Sequence, residues 1–410
     1  MLQAPATTAR LPLALRAFQS RNYSLYWFGL VLSQTGTWMQ KVAEAWLVYR
    51  LTNSAFILGV VTFISMAPLV PVSLLGGVLA DRMSRRKLLL ISNVGQLFPP
   101  LVLALLTWTG YVQVWHIVIA DLFLGAFAAI DQPARQAIIA DVVPADDLDS
   151  AISLSASGLN ATRMVGPAIA GILVALFGEA FCFALNGFSF LAVVAVLFLM
   201  RVAEKKNRLN ESARTSLVNG FKYLAADTRM IYPISLVVIV SLFIIPYQTV
   251  LPFFARDILQ VGAGGLGFLN MAAGLGAVLG ALGVASLRPG KQRAYLFAII
   301  VGLAVAVALF AASNSFAVAF VTLIATGAGV VAIKAISFTL IQQQLPDEFR
   351  GRVMAFVTML SGGTPAIGGL MIGFAASRWS APIALGVGAI AFLLVCLLLS
   401  MQRVSRSVHE

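Results

Sequence analysis

Acidic side chains are scarce in this chain: 16 Asp and Glu stand against 28 Lys and Arg in 410 residues, and charged residues of all kinds make up only 11%. Histidine and cysteine occur twice each. His116 and His409 are too far apart to form a metal-ligand pair of the usual spacing. Cys182 and Cys396 fall inside apolar runs, which argues against a disulfide framework. No Gly-x-x-x-x-Gly-Lys-Ser/Thr loop is present, so ATP hydrolysis is not expected. The run Gly262-Ala-Gly-Gly-Leu-Gly resembles a dinucleotide loop, but it opens an apolar stretch and follows no strand, so its glycines read as helix packing, together with Gly276 and Gly280. No nucleophile–base constellation stands out. These shortages predict a protein that is not an enzyme, with no metal and no cofactor.

What the chain has in abundance is apolar surface. Hydrophobic residues make up 60% and the mean hydropathy is +0.92. A soluble domain of this length could not bury so much, so lipid is the expected solvent and the bilayer the first partner. Runs of about 20 apolar residues suffice to cross a bilayer. Twelve are counted, near 24–48, 55–80, 88–108, 114–136, 148–177 and 180–200, then 231–254, 263–287, 294–312, 316–341, 351–377 and 382–401. No alternating β pattern is present and backbone groups in lipid must be satisfied within a segment, so the spans read as helices.

The net charge of +12 raises nucleic acid as a partner. The Lys and Arg residues, however, sit in alternate loops between apolar runs, the positive-inside pattern, and no nucleic acid is expected. One set of loops holds Arg82, Arg85, Arg86 and Lys87, the basic stretch 201–230, Arg288 to Arg293, Arg350 and Arg352, and Arg403 and Arg406; the other has little beyond Arg50, Arg256 and Arg378. Both termini are thus predicted to be cytoplasmic in a multi-pass protein of a bacterial-type cell membrane. The first twenty residues read as a cytoplasmic arm on the bilayer surface. The polar stretch 201–230 reads as a linker between an N-terminal half, 1–200, and a C-terminal half, 231–410, with an amphipathic helix over 217–224.

The two halves share a faint repeat. The segment Gly76-Gly77-Val78-Leu79-Ala80-Asp81-Arg82-Met83-Ser84-Arg85-Arg86-Lys87 has a weaker copy about 204 residues later, from Gly280 to Arg293. At an offset of 202, Pro144 pairs with Pro346, Gly166 with Gly368 and Gly171 with Gly373. The stretch Gly77-x-Leu79-Ala80-Asp81-Arg82-x-x-Arg85-Arg86 resembles the loop 2–3 signature of the major facilitator superfamily, with Ser84 where the pattern has Gly. Gly166-Pro167-x-x-Ala170-Gly171 resembles that superfamily's antiporter motif, with Thr162 where another Gly is usual. The segments Gly36 to Tyr49 and Asp131-Gln132-Pro133-Ala134-Arg135-Gln136 are similar to the branch that contains the enterobactin exporter, macrolide efflux proteins and transmembrane secretion effectors. The resemblance implies an all-α fold of twelve transmembrane helices in two pseudo-symmetric six-helix halves, working by alternating access. It also implies that Asp81 latches the neighbouring span 11; a plain topology anchor is the other reading of that loop.

Ionisable residues inside spans are costly in lipid and are the functional candidates. Span 1 carries Gln34, Trp38, Lys41 and Glu44 on one stripe; Glu44 reads either as a proton carrier or as the counter-ion of Lys41. Asp121 stands where the superfamily's span 4 motif often has Arg, which removes the basis for an arginine relay here and leaves Asp121 as a titrating group or a solvated site near the outer face. Asp131 and Arg135, four apart, are able to pair and suit a gating role, with Asp131 a further proton-coupling candidate; Arg82, Arg85 and Arg86 are matched with Asp131 or Asp141. Asn160, Arg163 and Lys334 complete the cavity candidates. The expected function is export of a small amphipathic molecule by a monomer, in exchange for protons. An importer or facilitator, and a non-transporting receptor or scaffold, are the alternatives.

Overall fold

The computed structural model describes residues 12–66, 72, 83–200, 230–288 and 292–409. Gly77, Asp81 and Arg82 of the signature loop, the expected helix over 217–224 and nearly all of the 201–230 stretch lie outside the described residues. The described elements are all helical: α1 Arg21–Thr52, α2 Ala55–Met66, α3 Arg85–Trp108, α4 Val114–Val142, α5 Leu148–Phe177, α6 Glu179–Leu199, α7 Ile231–Ile258, α8 Gly262–Ala285, α9 Gln292–Ala311, α10 Phe316–Gln344, α11 Asp347–Arg378 and α12 Ala381–His409. Among the described residues ten of them are long and apolar enough to cross a membrane; α1, with its polar stripe, and α2, described only over Ala55–Met66, are not among the ten. The protein is an all-α multi-pass membrane protein.

The helices outrun the apolar stretches that predict them, because polar residues do not stop a helix unless a cap does. α1 starts at Ser20, whose Oγ accepts from the Tyr23 amide. It ends at Asn53 in the left-handed region (φ 50°), which Asn tolerates better than most residues. α7 is a rod interrupted by two π-turns, Val240–Ile244 and Phe254–Ile258, beside Pro246 and Pro252. Large apolar side chains such as Phe28, Leu105 and Phe198 point outward, as a lipid-facing surface requires. Among the described residues of the N-terminal arm a short helix, Leu13–Gln19, docks on α5. Ala17 is fully buried, its amide donates to Ser150 Oγ (3.3 Å), and Arg16 pairs with Asp147 (3.2 Å).

The packing of the bundle decides where a ligand can go. α1, α3, α4, α5 and α6 pack among themselves, as do α8, α9, α10 and α12, and the main joins between the two groups are α5 with α8 and α2 with α11. Both joins are glycine-mediated close approaches. At Gly171 an added Cβ would lie 2.8 Å from the Gly264 carbonyl oxygen and 2.8 Å from Gly267 Cα; at Gly373 it would lie 2.7 Å from the Ala55 carbonyl oxygen. The pair offset by 202 residues thus makes equivalent contacts, and Gly166 on α1 is mirrored by Gly368 on α7. Gly171→Leu is expected to wedge α5 from α8 and cost about 1–3 kcal/mol, as over-packing does; a thermal unfolding curve indistinguishable from the unaltered protein would disprove this.

Candidate functional site

The joins cluster toward the end of the bundle where α1 turns into α2 and α7 into α8. There Tyr49 Oη donates to Asp257 Oδ2 in a short hydrogen bond, Arg256 Nη1 donates to Asn53 Oδ1 at 2.6 Å, and the Arg256 guanidinium lies 5.5 Å from the Tyr49 ring centroid. Arg50 braces the same end of α1 against the start of α6 through Glu179 (2.8 Å). At the opposite end, among the described residues, α4 and α5 make no comparable packing against α10 and α11. The result is a crevice between the two helix groups, closed where Tyr49 meets Asp257 and open at the end where α4 leads into α5.

The walls of this crevice carry the polar residues of the spans. Lys41 and Arg163 sit mid-helix yet are exposed, which in a lipid-embedded bundle marks an open interior surface. Lys41 Nζ lies 4.6 Å and Arg163 Cζ 5.0 Å from the Trp38 ring centroid, so two cations share one indole. Gln34, two turns before Lys41 on α1, and Asn160, one turn before Arg163 on α5, lie further toward the open end. Glu44 forms no ion pair with Lys41; its carboxylate adjoins that of Asp121 on α4, with Gln40 beside it. Asp121 is 8% exposed, so it is buried against Glu44 rather than solvated. Lys334 reaches the crevice from α10 and lies within electrostatic range of Arg163. The antiporter-like segment has a packing job: Gly166 lets α5 approach Trp38 and Thr35, and the Pro167 carbonyl faces Gly267.

Asp131 and Arg135 stand apart from the crevice. Asp131 is 2% exposed and accepts from Arg135 Nε (2.9 Å), Ser92 Oγ (3.0 Å) and Asn93 Nδ2 (2.9 Å), tying α4 to α3. Arg85 pairs with Asp141 (2.9 Å), whereas Arg86 donates to the carbonyls of Leu197 and Phe198 at the end of α6. Ser92 and Asn93 were not among the sequence-derived candidates, nor were Tyr49, Asn53, Arg256 and Asp257 as a group. One signal pointed to the last: Asp257 is the sole acid between residues 231 and 346. Because a hydrogen bond to a charged group contributes about 1.5–3 kcal/mol, Asp257→Ala is expected to raise the population open at that end roughly tenfold. A cysteine at Ala263, 8% exposed, should then be labelled correspondingly faster; an unchanged rate would show that the crossing does not hold the closure.

Comparison with known proteins agrees with this architecture. The staphyloferrin A transporter of Staphylococcus aureus is 23% identical over 350 residues, covering 83% of this chain and 86% of that protein. The enterobactin exporter EntS of Shigella flexneri is 25% identical over 87% of this chain and 86% of its own length. Among solved structures, a bacterial homolog of the human lysosomal transporter Spinster superposes with a TM-score of 0.74 over 93% of this chain and 96% of that one, at 13% identity, which speaks to the fold alone. These relatives are transporters and not enzymes, and the chain is likewise a secondary transporter of small molecules across a membrane. Residues 12–409 match the family described as transmembrane secretion effector, and the chain therefore belongs to that family, within the efflux-like branch of the major facilitator superfamily.

Proposed function

We propose that this protein is a monomeric exporter of a small amphipathic molecule, driven by inward proton flow and working by alternating access between two six-helix halves, α1–α6 and α7–α12. The observation that carries the reading is the Glu44–Asp121 pair on the wall of the crevice. Two carboxylates side by side in a buried site hold one proton between them more readily than two negative charges. A proton that leaves when the crevice changes sides couples its flow to that of the substrate. The crevice opens on the side of the basic loops, which the charge asymmetry makes cytoplasmic. Substrate would therefore enter from the cytoplasm and leave past Tyr49 and Asp257, a direction in keeping with the similarity to an enterobactin exporter. Lys41, within electrostatic range of both carboxylates, favours a second reading: it could neutralise them permanently and leave a facilitator.

Proteoliposomes with an internal pH dye separate these readings. Enterobactin or staphyloferrin A added to one side should move protons the opposite way; substrate movement without proton movement would favour the facilitator. Orientation is read in the same preparation. Single cysteines at Asn207 and Asn314, in a background lacking Cys182 and Cys396, should label from opposite faces, and labelling from one face would sink the topology.

A further inference from the structure

The charges of the crevice do not balance across its two walls. Between Met230 and the C-terminus the chain holds only four acids, Asp257, Asp347, Glu348 and Glu410. Asp257 is engaged at the closed end, Asp347 opens α11, and Glu410 is the last residue. Lys334, in the middle of α10, has no ion-pair partner among the described residues. The charged group in range of it is Arg163, another cation, from the opposite wall. Arg163 has no ion-pair partner among the described residues either; its neighbours are the Trp38 ring and Tyr247 of α7. The two carboxylates of the crevice lie next to Lys41, not next to Arg163. An unpaired cation at membrane depth is costly, and two within electrostatic range of each other repel, which favours keeping α5 and α10 apart.

We propose that Arg163 and Lys334 form a two-sided clamp for a small organic anion, whose negative groups bridge the two walls beside the Trp38 ring and draw the open end closed. Guanidinium on one wall and ammonium on the other suit an anion with at least two carboxylate-like groups, the first held by the planar fork of Arg163 and the second by the mobile Lys334. Trp38 supplies an aromatic face for the body of the ligand. Binding then supplies the differential interaction that a closure requires, since the bridge exists only when the walls meet. The proposal rests on the transporter reading above and adds the substrate class and the trigger.

The test is a distance measured between spin labels at Gln136 on α4 and Gln343 on α10, both exposed at the open end, in a background lacking Cys182 and Cys396. Lys334→Glu places the missing negative charge opposite Arg163 and should raise the short-distance population about tenfold without any ligand, within the usual range of coupling between sites. Lys334→Gln, which removes the repulsion alone, should raise it less. In the unaltered protein, benzene-1,3-dicarboxylate should shorten the distance, whereas its dimethyl ester and benzene-1,3-bis(methylamine) should not, and Arg163→Gln should abolish the response. The clamp is wrong if Lys334→Glu leaves the distances unchanged, or if the dicarboxylate acts no better than its ester. No proton gradient enters these measurements. Loss of the anion response with pH-driven export intact would strike the clamp alone, and the converse would strike proton antiport alone.

Discussion

Reconstituted protein carrying Glu44→Gln should still exchange substrate down its gradient but should no longer accumulate it against one. Gln keeps the size and hydrogen-bonding capacity of Glu and cannot carry a proton. One pH unit across the membrane is equivalent to about 1.4 kcal/mol per proton, or about tenfold in the substrate ratio the transporter can sustain. Uncoupling therefore collapses that ratio to about one for each unit applied. Asp121→Asn should behave in the same way, because the carboxylates adjoin and act as one titrating unit. The informative comparison is the double variant. If the pair is a unit, Glu44→Gln with Asp121→Asn is no worse than either alone. Full pH-driven accumulation in both single variants would move coupling elsewhere, to Asp131, or leave a facilitator.

The second large effect is on stability. Asp131→Ala removes the acceptor for Arg135, Ser92 and Asn93 at once and leaves the Arg135 guanidinium without its counter-ion inside the bundle. Breaking one side of a buried pair costs about 3–5 kcal/mol, more than the pair itself contributes, because the remaining charge is stranded. A sharp drop in thermal stability in detergent is expected. Replacing both partners, Asp131→Ala with Arg135→Leu, should recover most of it. If the double variant is as unstable as the single one, the loss comes from the Ser92 and Asn93 bonds and not from the stranded charge. Either result describes how Asp131 ties α3 to α4; normal transport by the stable double variant would then remove the gating role the sequence suggested.

The contrast between Asp131 and Asp121 shows what a one-dimensional reading reaches. Asp131 and Arg135 are four residues apart on one helix, and helical geometry alone brings them together. The same local rule suggested that Glu44 pairs with Lys41, three residues away. There it failed to name the partner, because the nearest acid to Glu44 comes from another helix, 77 residues later, and Lys41 turns to Trp38 instead. The gate fared similarly. Tyr49 and Asn53 end one helix, Arg256 and Asp257 end another, and only the packing of α1 against α7 makes them neighbours.

The sequence by itself determined that this chain lives in lipid, that it is helical, where most of the described helices lie, and which side chains are too costly at membrane depth to be there without a purpose. Those properties follow from apolar run length, the need to satisfy backbone groups within a segment, and the desolvation of charge, all of which are local. Tertiary structure decided the rest: that the glycines of α5 and α11 join the two helix groups at one end, that the crevice opens at the other, that two acids share one wall, and that Arg163 and Lys334 come within electrostatic range of each other. Such juxtapositions depend on how the helices pack, and no periodicity along the chain encodes which residue of one helix meets which residue of another.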